Sequence, residues 1–181
     1  LADYYINRDT EHEVVAFTVN YSEIPTNALF CGKPVVPWEE VENAYTPREN
    51  MLFIPMTGRE MNKLRERLYW EGKAKGYHYI SYVSPHATVC GNEIGENCFM
   101  NSYSSIGHHS IIGKSNVFSP YSTVNGNCKI GNGNFLGTGA VINPSIEIGK
   151  NNKVSSNSVL KKNVRNDCLI HGNPAKAKSF F

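Results

Sequence analysis

Apolar residues recur at every sixth position over the second half of the chain. From residue 94 to residue 160 the first place of each hexad is apolar without a break, and an Ile-Gly pair returns every eighteen residues. A beat of six is neither the 3.6 period of a helix nor the alternation of an ordinary strand. It predicts a parallel β-helix in which each hexad is a short strand plus a corner. These first places are Ile94, Met100, Ile106, Ile112, Phe118, Val124, Ile130, Leu136, Ile142, Ile148, Val154 and Leu160.

The eighteen-residue beat predicts three hexads per coil and three apolar columns inside a triangular prism. The columns begin at Ile94, Met100 and Ile106, and residues eighteen apart stack at about 4.8 Å. Asn116 and its equivalents in the next two coils, at the fifth place of their hexads, are expected to form a hydrogen-bonded ladder. Gly, Asn and Ser fill the corners because strained backbone costs them least. Sandwich strands with turns of uneven length do not explain this register.

The first 83 residues alternate predicted strands with predicted helices, which is typical of a small parallel α/β unit. In such sheets ligands gather beyond the carboxyl ends of the strands, and this makes Thr57 and Gly58 candidate ligand-binding residues. The predicted strands are 13–19, 51–56 and 77–83, and the predicted helices are 38–45 and the segment from the Thr57–Glu60 capping box to Gly76.

Three segments follow from these patterns. Residues 1–83 form the predicted α/β domain, residues 84–165 the β-helix, and residues 166–181 a C-terminal cap in which Phe180 and Phe181 cover the open end. Leu1 opens directly in an amphipathic helical pattern without a methionine, so we expect residues upstream of it to be missing and the α/β unit to be truncated.

Composition narrows the class of protein. The chain has 181 residues, 40% of them hydrophobic and 19% charged, and its net charge of +2 does not suggest a nucleic-acid or membrane partner. With no long apolar segment and no signal sequence, the prediction is a cytoplasmic protein without a membrane span. Five cysteines, an odd number without a C-x-x-C pair, indicate reduced structural thiols and no metal site.

Two adjacent histidines are the conspicuous departure from small corner residues. His108 and His109 follow Ile106, which takes the inward place of its hexad, so both imidazoles are expected to face outward. Histidine is the side chain whose usual pKa suits proton transfer near neutral pH. One coil before and one coil after His108 stand Cys90 and Gly126, whose small size would leave a groove beside it.

Several motifs resemble those of known proteins over nearly the whole chain. The hexads resemble the left-handed β-helix acyltransferases. Three segments resemble bacterial sugar acetyltransferases of the sialic-acid O-acetyltransferase and nucleotide-amino-sugar N-acetyltransferase type. They are Ser-Pro-His-Ala-Thr at 84–88, Ile-Gly-His-His-Ser at 106–110 and Gly-Asn-Pro-Ala-Lys at 172–176. Gly-Lys-Pro-Val-Val-Pro at 32–37 is similar to a motif of surface-polysaccharide acetyltransferases.

The resemblance implies acetyl transfer from acetyl-CoA to a sugar in polysaccharide biosynthesis, by a homotrimer with active sites between subunits. His108 matches the general base, which takes a proton from the acceptor during direct attack on the thioester. His109 stands where many relatives carry an orienting carboxylate. A backbone N–H near Gly126 would stabilise the acetyl oxygen.

Further site residues are expected on the same basis. Pro144 and Lys162 join Gly126 as cofactor-binding residues, and Asn101 joins Thr57 and Gly58 as a substrate-binding residue.

Other functions stay open at this point. N-acetylation of a nucleotide-linked amino sugar is favoured over sugar O-acetylation by the α/β domain. A non-catalytic trimeric sugar-binding scaffold is a second class. A zinc hydratase similar to the γ-class carbonic anhydrases is a third, although the chain lacks a close H-x-x-x-x-H pair.

Overall fold

The computed structural model describes residues 2–55, 63–90 and 93–179. Their contacts group them into two compact units, one of residues 1–52 with 72–78 and the other of residues 53–71 with 79–181, each as far as it is described. The sequence suggested a domain boundary at residue 83, and this boundary stays a prediction. Thr57 and Gly58, the capping box, and Phe180 with Phe181 lie outside the described residues.

The described part of the first unit contains the short helices α1 and α2 and a three-stranded sheet. Strands β1 and β3 pair in parallel, with Phe17 opposite Val35, although β3 was not among the predicted strands. Strand β2 joins β3 as an antiparallel hairpin through Cys31 and Gly32, whose positive φ angles of 48° and 75° suit a two-residue turn. The elements are α1 (Ala2–Asp9), β1 (Phe17–Val19), β2 (Leu29–Phe30), β3 (Lys33–Pro37) and α2 (Val41–Ala44), with 3₁₀ turns at Tyr21–Glu23 and Trp38–Glu40.

Three of the strand predictions for this part of the chain were too long. Only Phe17–Val19 of the predicted strand 13–19 is a strand, and only Tyr82–Val83 of the predicted strand 77–83. In the predicted strand 51–56 Leu52 makes a single bridge, donating its N–H to the carbonyl of His78 at 2.9 Å, and residue 56 is not described. Apolar stretches become strands only where a partner backbone is in reach, and a local pattern does not include that partner.

The second unit is the predicted prism, built from two-residue strands spaced by four-residue corners. Its three faces are sheets of seven, five and four strands, parallel except for the last hairpin. The strands are β4 (Tyr82–Val83), β5 (Thr88–Val89), β6 (Glu93–Ile94), β7 (Phe99–Met100), β8 (Ser105–Ile106), β9 (Ile111–Ile112), β10 (Val117–Phe118), β11 (Thr123–Val124), β12 (Lys129–Ile130), β13 (Phe135–Leu136), β14 (Val141–Ile142), β15 (Glu147–Ile148), β16 (Lys153–Val154), β17 (Val159–Leu160), β18 (Cys168–Gly172) and β19 (Ala175–Ser179).

The interior confirms the three predicted columns. Strands eighteen residues apart pair in register, as when Val117 and Phe118 lie opposite Phe135 and Leu136. The inward residue of every hexad from Met100 to Leu160 is buried. Burying these apolar side chains is the main favourable contribution to the stability of the prism.

The predicted asparagine ladder is present at one edge of the interior. Asn116 donates to the carbonyls of Gly113 at 2.8 Å and Gly131 at 2.9 Å, and its carbonyl oxygen accepts the N–H of Asn134 at 2.8 Å. Asn134 repeats the same contacts one coil further on, toward Asn152. Each buried amide is thereby paired on both sides, so the ladder carries polar groups through the core without leaving them unsatisfied.

The corners share one backbone conformation. From the hexad that begins at Ile94 to the one that begins at Val154, the fourth residue has a positive φ, between 56° and 68°, in the left-handed region that favours glycine and asparagine. These residues are Asn97, Tyr103, His109, Ser115, Tyr121, Asn127, Gly133, Gly139, Ser145, Asn151 and Asn157.

Helix α3 (Lys63–Ala74) contributes its first residues to the prism unit. Arg65 is buried there and donates to the carbonyls of Ile54 and Asn97. Burial lowers the pKa of its guanidinium to about 10. At the other end, β18 pairs in parallel with β16 and in antiparallel with β19, so the described part of the expected cap is a hairpin that extends one face.

Candidate functional site

His108 and His109 lie on the corner that joins strands β8 and β9. Ile106 points into the core just before them, so the chain turns outward and both imidazoles are exposed, as predicted. His109 occupies the left-handed place of its hexad with φ 56°, and this turns its ring back toward its neighbour. The two Nδ1 atoms are 2.8 Å apart.

This contact allows two protonation patterns for the pair, with either ring as the donor. A hydrogen bond between two Nδ1 atoms needs one to donate and the other to accept. If His108 carries its proton on Nδ1 and donates to His109, its Nε2 is left with a free lone pair. The Nε2 of His108 is then the basic atom, and the ring of His109 keeps the imidazole in this tautomer.

The basic atom lies directly over Gly126. A methyl group at Gly126 would be 2.7 Å from Nε2 of His108 and 2.8 Å from Cε1, so only glycine leaves the ring its place. The coils are pinned here by the N–H of Asn127, which donates to the carbonyl of His108 at 2.9 Å. Among the described residues, none accepts a hydrogen bond from the N–H of Gly126.

The predicted cofactor residues stack on this corner. The registers of β8, β11, β14 and β17 align the corner residues His108, Gly126, Pro144 and Lys162 in successive coils. Pro144 and Lys162 are exposed. With about 4.8 Å per coil, the column from His108 to Lys162 spans about 14 Å. The structure therefore brings His108, His109, Gly126, Pro144 and Lys162 to one edge of the prism.

The remaining predicted site residues are not placed there. Asn101 lies on a different corner, between β7 and β8, and its amide donates to the carbonyl of Phe118 at 3.0 Å. That bond links two coils of the prism. Its role as a substrate-binding residue stays a prediction, as do those of Thr57 and Gly58, which lie outside the described residues.

A shallow groove on the face that follows the histidine corner was not predicted from the sequence. Its volume is about 540 Å³, and Ile111, Lys129, Glu147 and Arg165 are among the residues that line it. Lys129 and Glu147 form an ion pair at 2.9 Å across adjacent coils. One sequence signal could have identified this face. Lys129 and Glu147 are opposite charges at outward strand positions eighteen residues apart.

The described residues hold neither a cluster of metal ligands nor a helix that could span a membrane. In residues 2–55, 63–90 and 93–179, no three His, Cys, Asp or Glu side chains converge as metal ligands would. The helices within the described part of the chain are all too short or too polar to cross a membrane.

Residues 127–162 match the model of the bacterial transferase hexapeptide (six repeats). The chain has the hexapeptide-repeat, left-handed β-helix fold. The α/β unit followed by this β-helix confirms the fold class that the sequence predicted. No curated protein sequence matches the chain.

Solved structures with this fold are similar over most of the chain. A mutant of perosamine N-acetyltransferase from Caulobacter crescentus, in complex with CoA and GDP-perosamine, is 24% identical with a TM-score of 0.67, over 82% of this chain and 79% of that one. WeeI from Acinetobacter baumannii is 23% identical with a TM-score of 0.69, over 90% and 85% of the two chains. The acetyltransferase domain of PglB from Neisseria gonorrhoeae, in complex with acetyl coenzyme A, is 20% identical with a TM-score of 0.65, over 83% and 81%. At these identities the similarity shows a shared fold.

Proposed function

We propose that the protein transfers an acetyl group from acetyl-CoA to a sugar, with His108 as the general base. The observation that carries the proposal is the position of His108, whose Nε2 faces outward over Gly126 while its Nδ1 contacts His109 at 2.8 Å. An exposed imidazole with one nitrogen engaged and the other free is the arrangement that proton abstraction needs. The similar structures that are named as sugar N-acetyltransferases support the choice of reaction.

In this mechanism His108 removes a proton from the acceptor. The amine or hydroxyl attacks the thioester carbonyl carbon while its proton passes to Nε2 of His108. The C–S bond then breaks, and the imidazolium returns the proton to the departing CoA sulfur. His108 thus starts and ends neutral, and no further reactant is needed.

His109 orients His108 in place of the carboxylate that many relatives carry. In the proposed tautomer Nδ1 of His109, 2.8 Å away, accepts the Nδ1 proton of His108 and so keeps the lone pair on Nε2, toward the acceptor. A neutral imidazole stabilises the imidazolium of His108 less than a carboxylate would, because it brings no negative charge.

The column of His108, Gly126, Pro144 and Lys162 is the proposed binding edge for the thioester arm. Gly126 lets the arm approach the backbone, and its N–H, which no described residue engages, would donate to the acetyl oxygen as negative charge develops there. Pro144 has no N–H, so backbone donation ends in its coil. Cations at the far end of the column would bind the phosphates of CoA. They are Lys162 and, in the adjacent groove, Arg165 and Lys129.

For the acceptor, N-acetylation of a nucleotide-linked amino sugar remains favoured over O-acetylation. Residues 1–83, which include Thr57 and Gly58, are the proposed acceptor-binding part, and Asn101 is a further candidate. The proposal includes a homotrimer with the active sites between subunits, which sedimentation velocity would test.

The test is a turnover screen in which acetyl-CoA is offered together with nucleotide-linked amino sugars or free hexoses. Liquid chromatography measures the CoA that is released. His108→Ala should lower turnover by about 10²-fold or more, the range for a lost general base. His171→Ala, an exposed histidine on β18, is the matched control and should leave turnover unchanged. Full activity of the His108 variant would show that another group takes the proton.

The product separates the alternatives. An acetyl group on nitrogen resists mild base, whereas an ester on oxygen is released by it, so the treated product distinguishes N- from O-transfer. A non-catalytic scaffold would show neither turnover nor heat of acetyl-CoA binding in isothermal titration calorimetry.

A further inference from the structure

Three aromatic rings are stacked on a different corner of the prism from the histidine pair. The rings of Tyr103 and Tyr121 are 5.1 Å apart with 10° between their planes, and His86 continues the stack on the other side of Tyr103 at 5.5 Å and 21°. All three are exposed, with 55% of Tyr103 and 60% of Tyr121 accessible to solvent. The rings stack along the axis of the prism in the order His86, Tyr103, Tyr121. The face of the Tyr121 ring that points away from Tyr103 is therefore left uncovered by this stack.

Backbone strain shows that the stability of the fold does not account for these tyrosines. Tyr103 and Tyr121 both have φ 61°, in the left-handed region that is an outlier for a bulky residue. In the next two coils the same place is held by Gly139 and Asn157, the residue types that suit this conformation. Aromatic contacts in solvent offset only part of the strain of two such tyrosines. Strain retained at an exposed cluster points to a role in binding.

In the next coil a glycine stands where the stack of rings would continue. Gly139 follows Tyr121 in the column and has no side chain to cover it. A methyl group at Gly139 would lie 2.4 Å from Oδ1 of Asn157, so the amide of Asn157 borders the space on its far side. Such an amide offers both a donor and an acceptor to the edge of a ligand. The space is thus bounded by a flat aromatic face and by a hydrogen-bonding group.

We propose that Tyr121, supported by Tyr103 and His86, stacks on a planar heteroaromatic base whose edge bonds to Asn157. A planar ring extends a parallel stack of rings. Every nucleic-acid base can stack on an aromatic side chain, because stacking uses the face of the base and not the edge that distinguishes one base from another. Only the source of the base rests on the proposed function. It is the adenine of CoA or the base of a nucleotide-linked sugar, and the shared chemistry is a nucleotide.

Calorimetric titration of the full chain with 3′,5′-ADP, with UDP and with GDP tests this. At least one nucleotide should bind, and Tyr121→Asn should bind it at least about fivefold more weakly, since base stacking is lost. Tyr121→Phe keeps the ring and should bind normally. Tyr4→Asn, which removes an equally exposed tyrosine from helix α1, is the matched control and should also bind normally. Because Asn suits left-handed backbone, Tyr121→Asn should melt no lower than the wild type.

Each result decides the proposal. Binding of 3′,5′-ADP assigns the stack to the acetyl donor, and binding of UDP or GDP assigns it to the acceptor. The proposal fails if no nucleotide binds, if Tyr121→Asn binds as tightly as the wild type, or if a free hexose displaces the nucleotide. It also fails if sedimentation velocity shows that Tyr121→Asn changes the assembly state, since the stack would then lie between copies of the chain. His108→Ala should leave nucleotide binding in these titrations unchanged. Failure of the proposed acetyl transfer is measured separately, in the turnover screen.

Discussion

Gly126→Ala tests whether the ring of His108 must lie where the structure puts it. Gly126 has no positive φ, so alanine suits its backbone. The added methyl would lie 2.7 Å from Nε2 of His108, whereas ordinary contact begins near 3.4 Å. The ring must therefore retreat by about 0.7 Å. Because a misplacement of about 1 Å can cost 10²-fold in rate, we expect kcat to fall by about 10- to 10²-fold.

A neighbouring glycine provides the contrast. A methyl group at Gly107 would lie 2.6 Å from the backbone nitrogen of Gly126, and backbone cannot move as a side chain can. Gly107→Ala should therefore lower the melting temperature, whereas Gly126→Ala should leave it nearly unchanged. Turnover of acetyl-CoA and circular dichroism melts on both variants check this. Normal kcat in Gly126→Ala would refute the reasoning, because the ring could then work from a displaced position.

Two further predictions concern the histidine pair and the asparagine ladder. His109→Gly removes the acceptor of the Nδ1 proton without backbone strain and should lower kcat by about tenfold or more. His109→Asp restores an acceptor for that proton and should recover most of the lost kcat, and a kcat no higher than that of His109→Gly would contradict the orienting role. Asn134→Ala orphans the carbonyl of Gly149 and the N–H of Asn152 and should cost about 3 kcal/mol in urea unfolding. The exposed Ser156→Ala is its control, and equal stability of the two would refute the ladder's contribution.

The prism was predictable because its signal is local and repeated. Each hexad contains its own inward residue and corner, so the columns beginning at Met100 and Ile106 follow from periodicity alone. The short strands of the N-terminal part were overestimated, since a run such as 77–83 becomes strand only where a neighbouring backbone pairs with it. That pairing is not local information.

The sequence by itself determined the β-helix, its register and the outward placement of His108. Only the tertiary structure decided what this side chain touches: the Nδ1 of His109, brought round by a left-handed residue, and the bare backbone of Gly126 one coil away. The aromatic stack shows the same limit. Tyr103 and Tyr121 are eighteen residues apart, but His86 lies seventeen before Tyr103, in the irregular first coil. The contacts of His108 with Gly126 and within the aromatic stack join residues of different coils. Stacking of the coils brings these residues together, and a one-dimensional pattern does not measure it.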